Sequence, residues 1–336
     1  MRVSKLAVAA FAVVAAVAGS APLRAQSGEE IILADPAFSL TFAAGYIASD
    51  LDLWQKHGIK VKTVQLQGIA AINSVIAGSA QFAQASASSF GRASARGQRL
   101  IAIATTIDRP FAQVVLRKDI AQAGGFDAKA PLEKRAALLK GHTIAVDSIN
   151  SMIHAYLRLI AARAGFSPDD IRVAPMAPNS MLAAFQSKQI DGYAMSLPWP
   201  LKAVQDGDAL LIASGPDGEP GDMIPFGHNM IVARQDTCVQ KKPLCLAMGQ
   251  SIKDATAFIK NKPDEAFAIL KKRFPTLDDA LLKASFEELR KVTPSPPVVN
   301  KASIENSEIF NVQAGLLKPD EKLKSYDSLF TNEFVN

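Results

Sequence analysis

The run "FQSKQIDGYAMSLPWP" (Phe185–Pro200) decides the fold once it is set beside "VIAGSAQFAQASASSF" (Val75–Phe90), earlier in the chain. Each reads as the end of an amphipathic helix, then a short apolar strand, then a loop of small and polar residues. Ile190 stands where Ala80 does, Asp191 where Gln81 does, and Ser196 where Ser86 does. A device built twice predicts two similar lobes.

The flanking sequence repeats the plan. In the first half, "EIILAD" (Glu30–Asp35), "IKVKTVQ" (Ile59–Gln65), "QFAQAS" (Gln81–Ser86) and "RLIAIATT" (Arg99–Thr106) read as strands. Between them, Phe42, Tyr46, Ile47, Leu53 and Trp54 share one helical face, and Gly58 stops that helix. Trp54 reads as core. Further helices start at Gly68 and Ser88. After a strand at "PFAQVVLRKD" (Pro110–Asp119) the pattern restarts. "HTIAVD", "DIRVAPM", "IDGYAMS" and "DALLIAS" are strands, alternating with helices over Ser148–Gly165, Ala177–Gln189 and Pro198–Gly207. "FGHNMIVARQD" (Phe226–Asp236) is a second strand-like passage. Beyond it, three helices are predicted, Gly249–Arg273, Asp278–Lys291 and Ser303–Gly315. Alternation of strands and helices implies mostly parallel sheets, with ligands beyond the strand C-termini. The expected fold is α/β, a two-lobed clamshell. Each lobe is a mixed, mostly parallel sheet flanked by helices, and a helical C-terminal extension follows. The expected boundaries are 1–25 for a signal peptide, 29–112 for the first lobe, 113–228 for the second with crossover strands at its ends, and 229–336 for the return.

The signal peptide rests on the basic start "MRVSK", the apolar run Leu6–Ala18 and the small residues of "APLRAQS". That run is short for a membrane span, and no second long apolar run follows. No Cys lies near the cleavage site, so a lipid-anchored N-terminus is not expected; the expected location is the periplasm. The full chain carries +5; loss of Arg2, Lys5 and Arg24 leaves +2 (5 − 3), which gives no electrostatic case for nucleic acid. Cys238 and Cys245, in "DTCVQKKPLCLAM", are the two cysteines. In an oxidising compartment a local disulfide is the simplest reading, ahead of a metal site, which lacks a neighbouring His, and of two reduced thiols. No cofactor and no metal site is expected.

Two lobes that each present strand ends and helix starts to a shared cleft form a grip for a small solute. Unpaired N–H groups and the helix dipole meet there, beside Ser and Thr hydroxyls. The ordered segments "AAGYIASDLDLWQKHGIKVKTVQLQGIAAINSVIAGSAQFAQAS", "LKGHTIAVDSINSMIHAYLRLIAARAGFSPDDIRVAPM" and "LAAFQSKQIDGYAMSLPWP" resemble the periplasmic solute-binding proteins of ABC importers. The resemblance is to the branch that covers nitrate, alkanesulfonate, taurine and thiamine-pyrimidine binders, and runs from about Ile31 to the C-terminal helices. It implies a type II periplasmic-binding-protein fold, C-terminal helices packed on the first lobe, and delivery to an inner-membrane permease and ATPase. A monomer is the expected state.

By position, the resemblance places ligand contacts in the strand-end loops. Those of the first lobe are Ser39, Leu40, Thr41, Gly68, Ser86, Ser88 and Thr106. The second lobe contributes Ser148, Asn150, Ser151, Asn179, Ser196 and Trp199; His228 and Asn229 come from the returning passage. Plain helix capping is the competing role for each Ser. Two roles stay open for Trp199, an aromatic platform for a flat ligand or packing within the second lobe. Arg109 is the candidate clamp for an anion, while Arg92, Arg96 and Arg99 read as a solvated face. Asp35, Asp108 and Asp147, near strand ends, would oppose a strong anion or hold an amine or heterocycle N–H. A sulfonate, an organic acid and a heteroaromatic solute all remain compatible.

An enzyme is not expected. The sequence has no G-x-S-x-G, and His57, His142, His154 and His228 lack metal spacing such as H-E-x-x-H. His57 and His142 read as structural, His154 as a packed or surface residue. A thiamine-pyrimidine synthase of the kind related to this branch would need a Cys-rich segment that is absent. A receptor for a membrane sensor is the other class this sequence allows.

Overall fold

The computed structural model describes residues 30–336, so the expected signal peptide lies outside the described residues. The chain starts with β1 (Ile31–Asp35), α1 (Ala43–Asp50), α2 (Leu53–Lys56), β2 (Val61–Gln65), α3 (Ala70–Ile76), β3 (Phe82–Ala85), α4 (Ala87–Ala95) and β4 (Leu100–Ile107). It continues with β5 (Ala112–Arg117), α5 (Lys118–Ala123), α6 (Leu132–Ala136), β6 (Thr143–Val146), α7 (Met152–Arg163), β7 (Arg172–Pro175), α8 (Pro178–Gln186), β8 (Gly192–Ser196), α9 (Trp199–Gln205) and β9 (Ala209–Ser214). The last part is β10 (Asn229–Arg234), α10 (Gln235–Gln240), α11 (Lys242–Asn261), α12 (Pro263–Arg273), α13 (Asp279–Val292) and α14 (Lys301–Gln313).

Two five-stranded sheets result, ordered β2-β1-β3-β10-β4 and β7-β6-β8-β5-β9. Their equivalence explains the doubled sequence device. β3 runs parallel to β1 and antiparallel to β10; β8 runs parallel to β6 and antiparallel to β5. Each is the central strand of its sheet, and every residue in both is buried. Strands covered on both faces require continuous apolar or small residues, which is how "FAQA" and "GYAMS" read. The chain crosses between sheets twice, after β4 and before β10.

Two helices differ from the expected bounds. The helix expected over Thr41–Gly58 is interrupted at Asp52, which takes a left-handed φ of 52°. Asp is one of the few non-Gly residues that tolerate that conformation. The helix expected over Gly249–Arg273 starts earlier, at Lys242, and breaks at Lys262. Pro263 disfavours helical geometry at the residue before it and has no N–H to continue the ladder. Cys238 and Cys245 are joined by a disulfide that ties α10 to α11. Trp54 is buried and its indole N–H donates to Ser49 Oγ at 2.9 Å.

The C-terminal helices do more than cover the first lobe. α11 packs on α1 and α2, and α12 on α1. α13 touches both α9 and the turn Leu40–Phe42, and α14 lies against α4 and α7. The last two therefore span both sheets' helical layers.

Candidate functional site

The cleft lies where the two sheets' strand ends meet. Its enclosed volume is about 60 Å³, a narrow space between the lobes. The loop after β1 contributes Pro36, Ala37, Ser39, Thr41 and Phe42, and the start of α3 contributes Gly68 and Ile72. β3 and the start of α4 add Gln84, Ala85, Ser86 and Ser89. The opposite wall is Asp147, Ser151, Met152 and Ile153 from the start of α7, with Met195 and Ser196 from β8. His228 and Asn229, at the start of β10, close the base.

Capping fixes the loops. Ser39 Oγ accepts the Thr41 N–H at 3.0 Å, Ser86 Oγ accepts the Ser89 N–H at 3.1 Å, and Ser151 Oγ accepts the His154 N–H at 3.1 Å. These serines thus both cap helices and line the cleft, so the two roles weighed from the sequence coexist. The Thr41 hydroxyl is different. It is buried on a residue of the cleft wall and has no hydrogen-bond partner among the described residues.

A polar chain runs beneath the first wall. Gln84 Nε2 donates to Asp35 Oδ1 at 2.8 Å. Asn229 Nδ2 donates to Gln84 Oε1 at 2.8 Å and to Thr106 Oγ1 at 2.7 Å. Gly45 of α1 makes room for it, since a Cβ there would lie 2.7 Å from Gln84 Nε2. Burial pushes the Asp35 carboxyl up to about 7, partly offset by the Gln84 hydrogen bond. Across the cleft, burial pushes Asp147 up to about 6 against the Ser151 hydroxyl, which donates to Asp147 Oδ1.

His228 is held neutral, because burial lowers it to about 3. Its Nδ1 accepts the Phe111 N–H at 3.2 Å, so the ring proton sits on Nε2, 3.4 Å from Ser196 Oγ. His228 is therefore a fixed donor toward the cleft. His154 is buried, lowered to about 4 by desolvation first and by nearby Arg158 and Arg92, and its Nδ1 accepts the Asn150 N–H at 2.9 Å. His57 and His142 pair with Asp254 and Asp191.

Of the residues expected from the sequence, Ser39, Thr41, Gly68, Ser86, Ser151, Ser196, His228 and Asn229 line the cleft. The others stand outside its wall. Leu40 is buried and its N–H donates to the Leu197 carbonyl at 3.2 Å, a contact between lobes. Ser88 points behind α4, to Asn311 Oδ1 at 2.6 Å, and Thr106 sits behind Asn229. Arg109 is partly exposed and lies 3.5 Å from Asp108, and Asn179 is exposed on α8. Asn150 takes a left-handed φ of 64° and offers its carbonyl to Arg92. Ser148 faces Gly68, and its buried Oγ has no partner among the described residues. Trp199 is buried, and its indole N–H donates to the Phe38 carbonyl at 2.9 Å with the two rings 6.3 Å apart. It fastens the second lobe to the first instead of offering a ring face to the cleft.

Arg92 corrects the solvated-face reading; Arg96 and Arg99 are exposed, but Arg92 is 5% exposed. Its guanidinium donates to Ser88 Oγ at 2.9 Å, to Asn311 Oδ1 at 2.7 Å and to the Asn150 carbonyl. Helix α4, helix α14 and the second lobe are joined by one cation. Gln84 is a contributor the sequence reading does not name, its only signal being a polar residue inside an otherwise apolar strand; Asp35, expected near a strand end, is its partner.

A two-lobed sheet pair with crossover strands and a cleft between strand ends is the periplasmic-binding-protein fold. The NMT1/THI5-like family model matches residues 39–266, and the chain belongs to that family. A Brucella abortus protein provisionally named as a binding protein is 27% identical over 250 residues, spanning 74% of this chain and 72% of its own. The alkanesulfonate-binding protein SsuA of Xanthomonas axonopodis pv. citri, solved with MOPS bound, superposes with a TM-score of 0.68 at 19% identity, covering 88% of this chain and 96% of that one. The nitrate-binding protein NrtA of Synechocystis PCC 6803 gives 0.71 at 15% identity, covering 91% and 86%. Among the described residues, no helix is long and apolar enough to cross a membrane.

Proposed function

We propose that this chain is the periplasmic solute-binding component of an ABC uptake system. It captures one small organic solute between its lobes and presents the closed form, as a monomer, to an inner-membrane permease driven by an ATPase. The observation that carries this reading is the cleft itself: both lobes supply its walls through capped helix starts, and Thr41 of the first wall carries a buried hydroxyl with no partner among the described residues. An unpaired buried polar group costs stability that a ligand atom restores. The names of the sulfonate- and nitrate-binding structural neighbours, and of the Brucella relative, support a receptor over an enzyme. Ser196 and His228 are the one hydroxyl–imidazole pair in the cleft wall, but the 3.4 Å contact comes from the protonated Nε2 of a ring whose Nδ1 is already occupied, so His228 is not placed to take a proton from Ser196. A thermal-shift screen of the mature chain against small sulfonates, organic acids, amines and heterocycles tests the proposal. A solute that raises the melting temperature with its concentration, and is recovered unchanged, is expected. A solute that is turned over, or no stabilisation by any, contradicts it.

A further inference from the structure

The charge of the cleft wall narrows the solute, given the receptor reading above. Among the described residues lining the cleft, none is Lys or Arg; the titratable ones are Asp147 and His228. Arg109, the expected anion clamp, stands outside the wall beside Asp108, and the Arg92 guanidinium is engaged behind α4. Two of the N–H groups at the start of α4 are already engaged. At α4 the Ala87 N–H donates to the Gly227 carbonyl at 2.8 Å and the Ser89 N–H to Ser86 Oγ. At α7 the Asp147 carboxylate itself sits over the first turn, bonded by the Ser151 hydroxyl. A second carboxyl, Asp35, lies one side chain behind the opposite wall, through Gln84. An anion in this cleft would face a buried carboxylate with no cation between them.

We infer that the cleft selects a small solute that presents N–H donors and carries no net negative charge, an amine or a neutral nitrogen heterocycle, with Asp147 as the acceptor that recognises it. Asp147 is 5% exposed, lines the cleft, and holds its Oδ2 on the side that faces Gly68 of the first lobe. A donor bound to Asp147 therefore lies between the two lobes and draws them together. The Thr41 hydroxyl, buried and unpartnered, waits on the first wall to accept or donate a second bond. His228 Nε2–H supplies a donor for a ring nitrogen or carbonyl of the same solute.

Titration calorimetry of the mature chain decides this, with ethylamine, imidazole, cytosine and adenine as N–H donors, and nitrate and ethanesulfonate as anions. Binding by at least one donor and by neither anion is expected. The Asp147→Asn variant, whose amide still offers an acceptor to the Ser151 hydroxyl, is expected to lose at least tenfold in affinity for that donor. Thr41→Val, on the opposite wall, is expected to weaken it as well without lowering the melting temperature of the unliganded protein. Nitrate or ethanesulfonate binding to the wild type overturns the charge assignment and leaves the receptor reading standing. Donor binding that is undiminished in Asp147→Asn overturns the role of that residue. Absence of binding by both classes overturns this inference, and with it the receptor reading if no small molecule is found bound to the purified chain.

Discussion

Asp35 is the position where a single substitution tests the buried electrostatics most sharply. It ends β1, is 3% exposed, and accepts a hydrogen bond from the neutral Gln84 amide at 2.8 Å. Burial raises its carboxyl from 3.8 to about 7. A raised acid favours the folded state only while protonated, so stability is highest below the unfolded value and is lost as pH rises through the folded one. Each unit is worth about 1.4 kcal/mol, so the ionised carboxylate costs about 4 kcal/mol above pH 7 and about 1.5 kcal/mol at pH 5. Asp35→Asn removes the charge and keeps an oxygen for Gln84 Nε2. The variant's stability advantage over the wild type should therefore grow by about 2.5 kcal/mol between pH 5 and pH 8. Urea unfolding of both proteins at the two pH values measures it. The difference between the curves is the informative quantity. Asp147, His154 and His228 titrate in both proteins, and the two histidines, lowered below 6.5, act with the opposite sign, losing stability as pH falls. An advantage that stays constant from pH 5 to pH 8 refutes the burial of an uncompensated charge at Asp35.

Other positions give further tests. Gly68→Ala places a Cβ 1.7 Å from Ser148 Oγ at a φ of +57°, so the lobes should hold apart; solute affinity should fall at least tenfold and the radius of gyration measured by X-ray scattering should rise, with secondary structure unchanged by circular dichroism. Trp199→Phe deletes the indole donor to the Phe38 carbonyl, and should weaken closure by about 1 kcal/mol, read as a several-fold loss of solute affinity. Reduction of the Cys238–Cys245 bond, which closes a loop of sequence separation 7, should cost about 2.5 kcal/mol in urea unfolding without changing solute affinity, since α10 and α11 stand away from the cleft.

The fold was legible because its signals are local. The buried third strands of both lobes read as apolar runs between a helix stop and a polar loop, and β3 and β8 occupy the same place in their sheets. Ser86 and Ser151 were legible for the same reason, as capping residues directly after a strand or loop and before a helix. Residues whose surroundings come from distant sequence were not. Arg92 sits on a helix face that looks solvated until α14 supplies Asn311 and the second lobe supplies the Asn150 carbonyl. Trp199 finds its partner at Phe38, in the other lobe, and helix periodicity cannot reveal that. Gln84 is hidden in a strand whose alternation says nothing about which polar side chain it meets across the sheet, here Asp35. The helix breaks at Asp52 and Lys262 were readable in principle, from an Asp able to take a left-handed φ and from the proline after Lys262.

The central claim is that one small solute occupies the cleft between the lobes. Native mass spectrometry of the mature chain, after incubation with a bacterial metabolite extract and buffer exchange, tests it most directly. The wild type should carry a single small-molecule adduct, one per chain, that disappears on denaturation and is absent from Gly68→Ala. A chain that stays bare in every extract, or an adduct that persists undiminished in the Gly68→Ala variant, contradicts the claim.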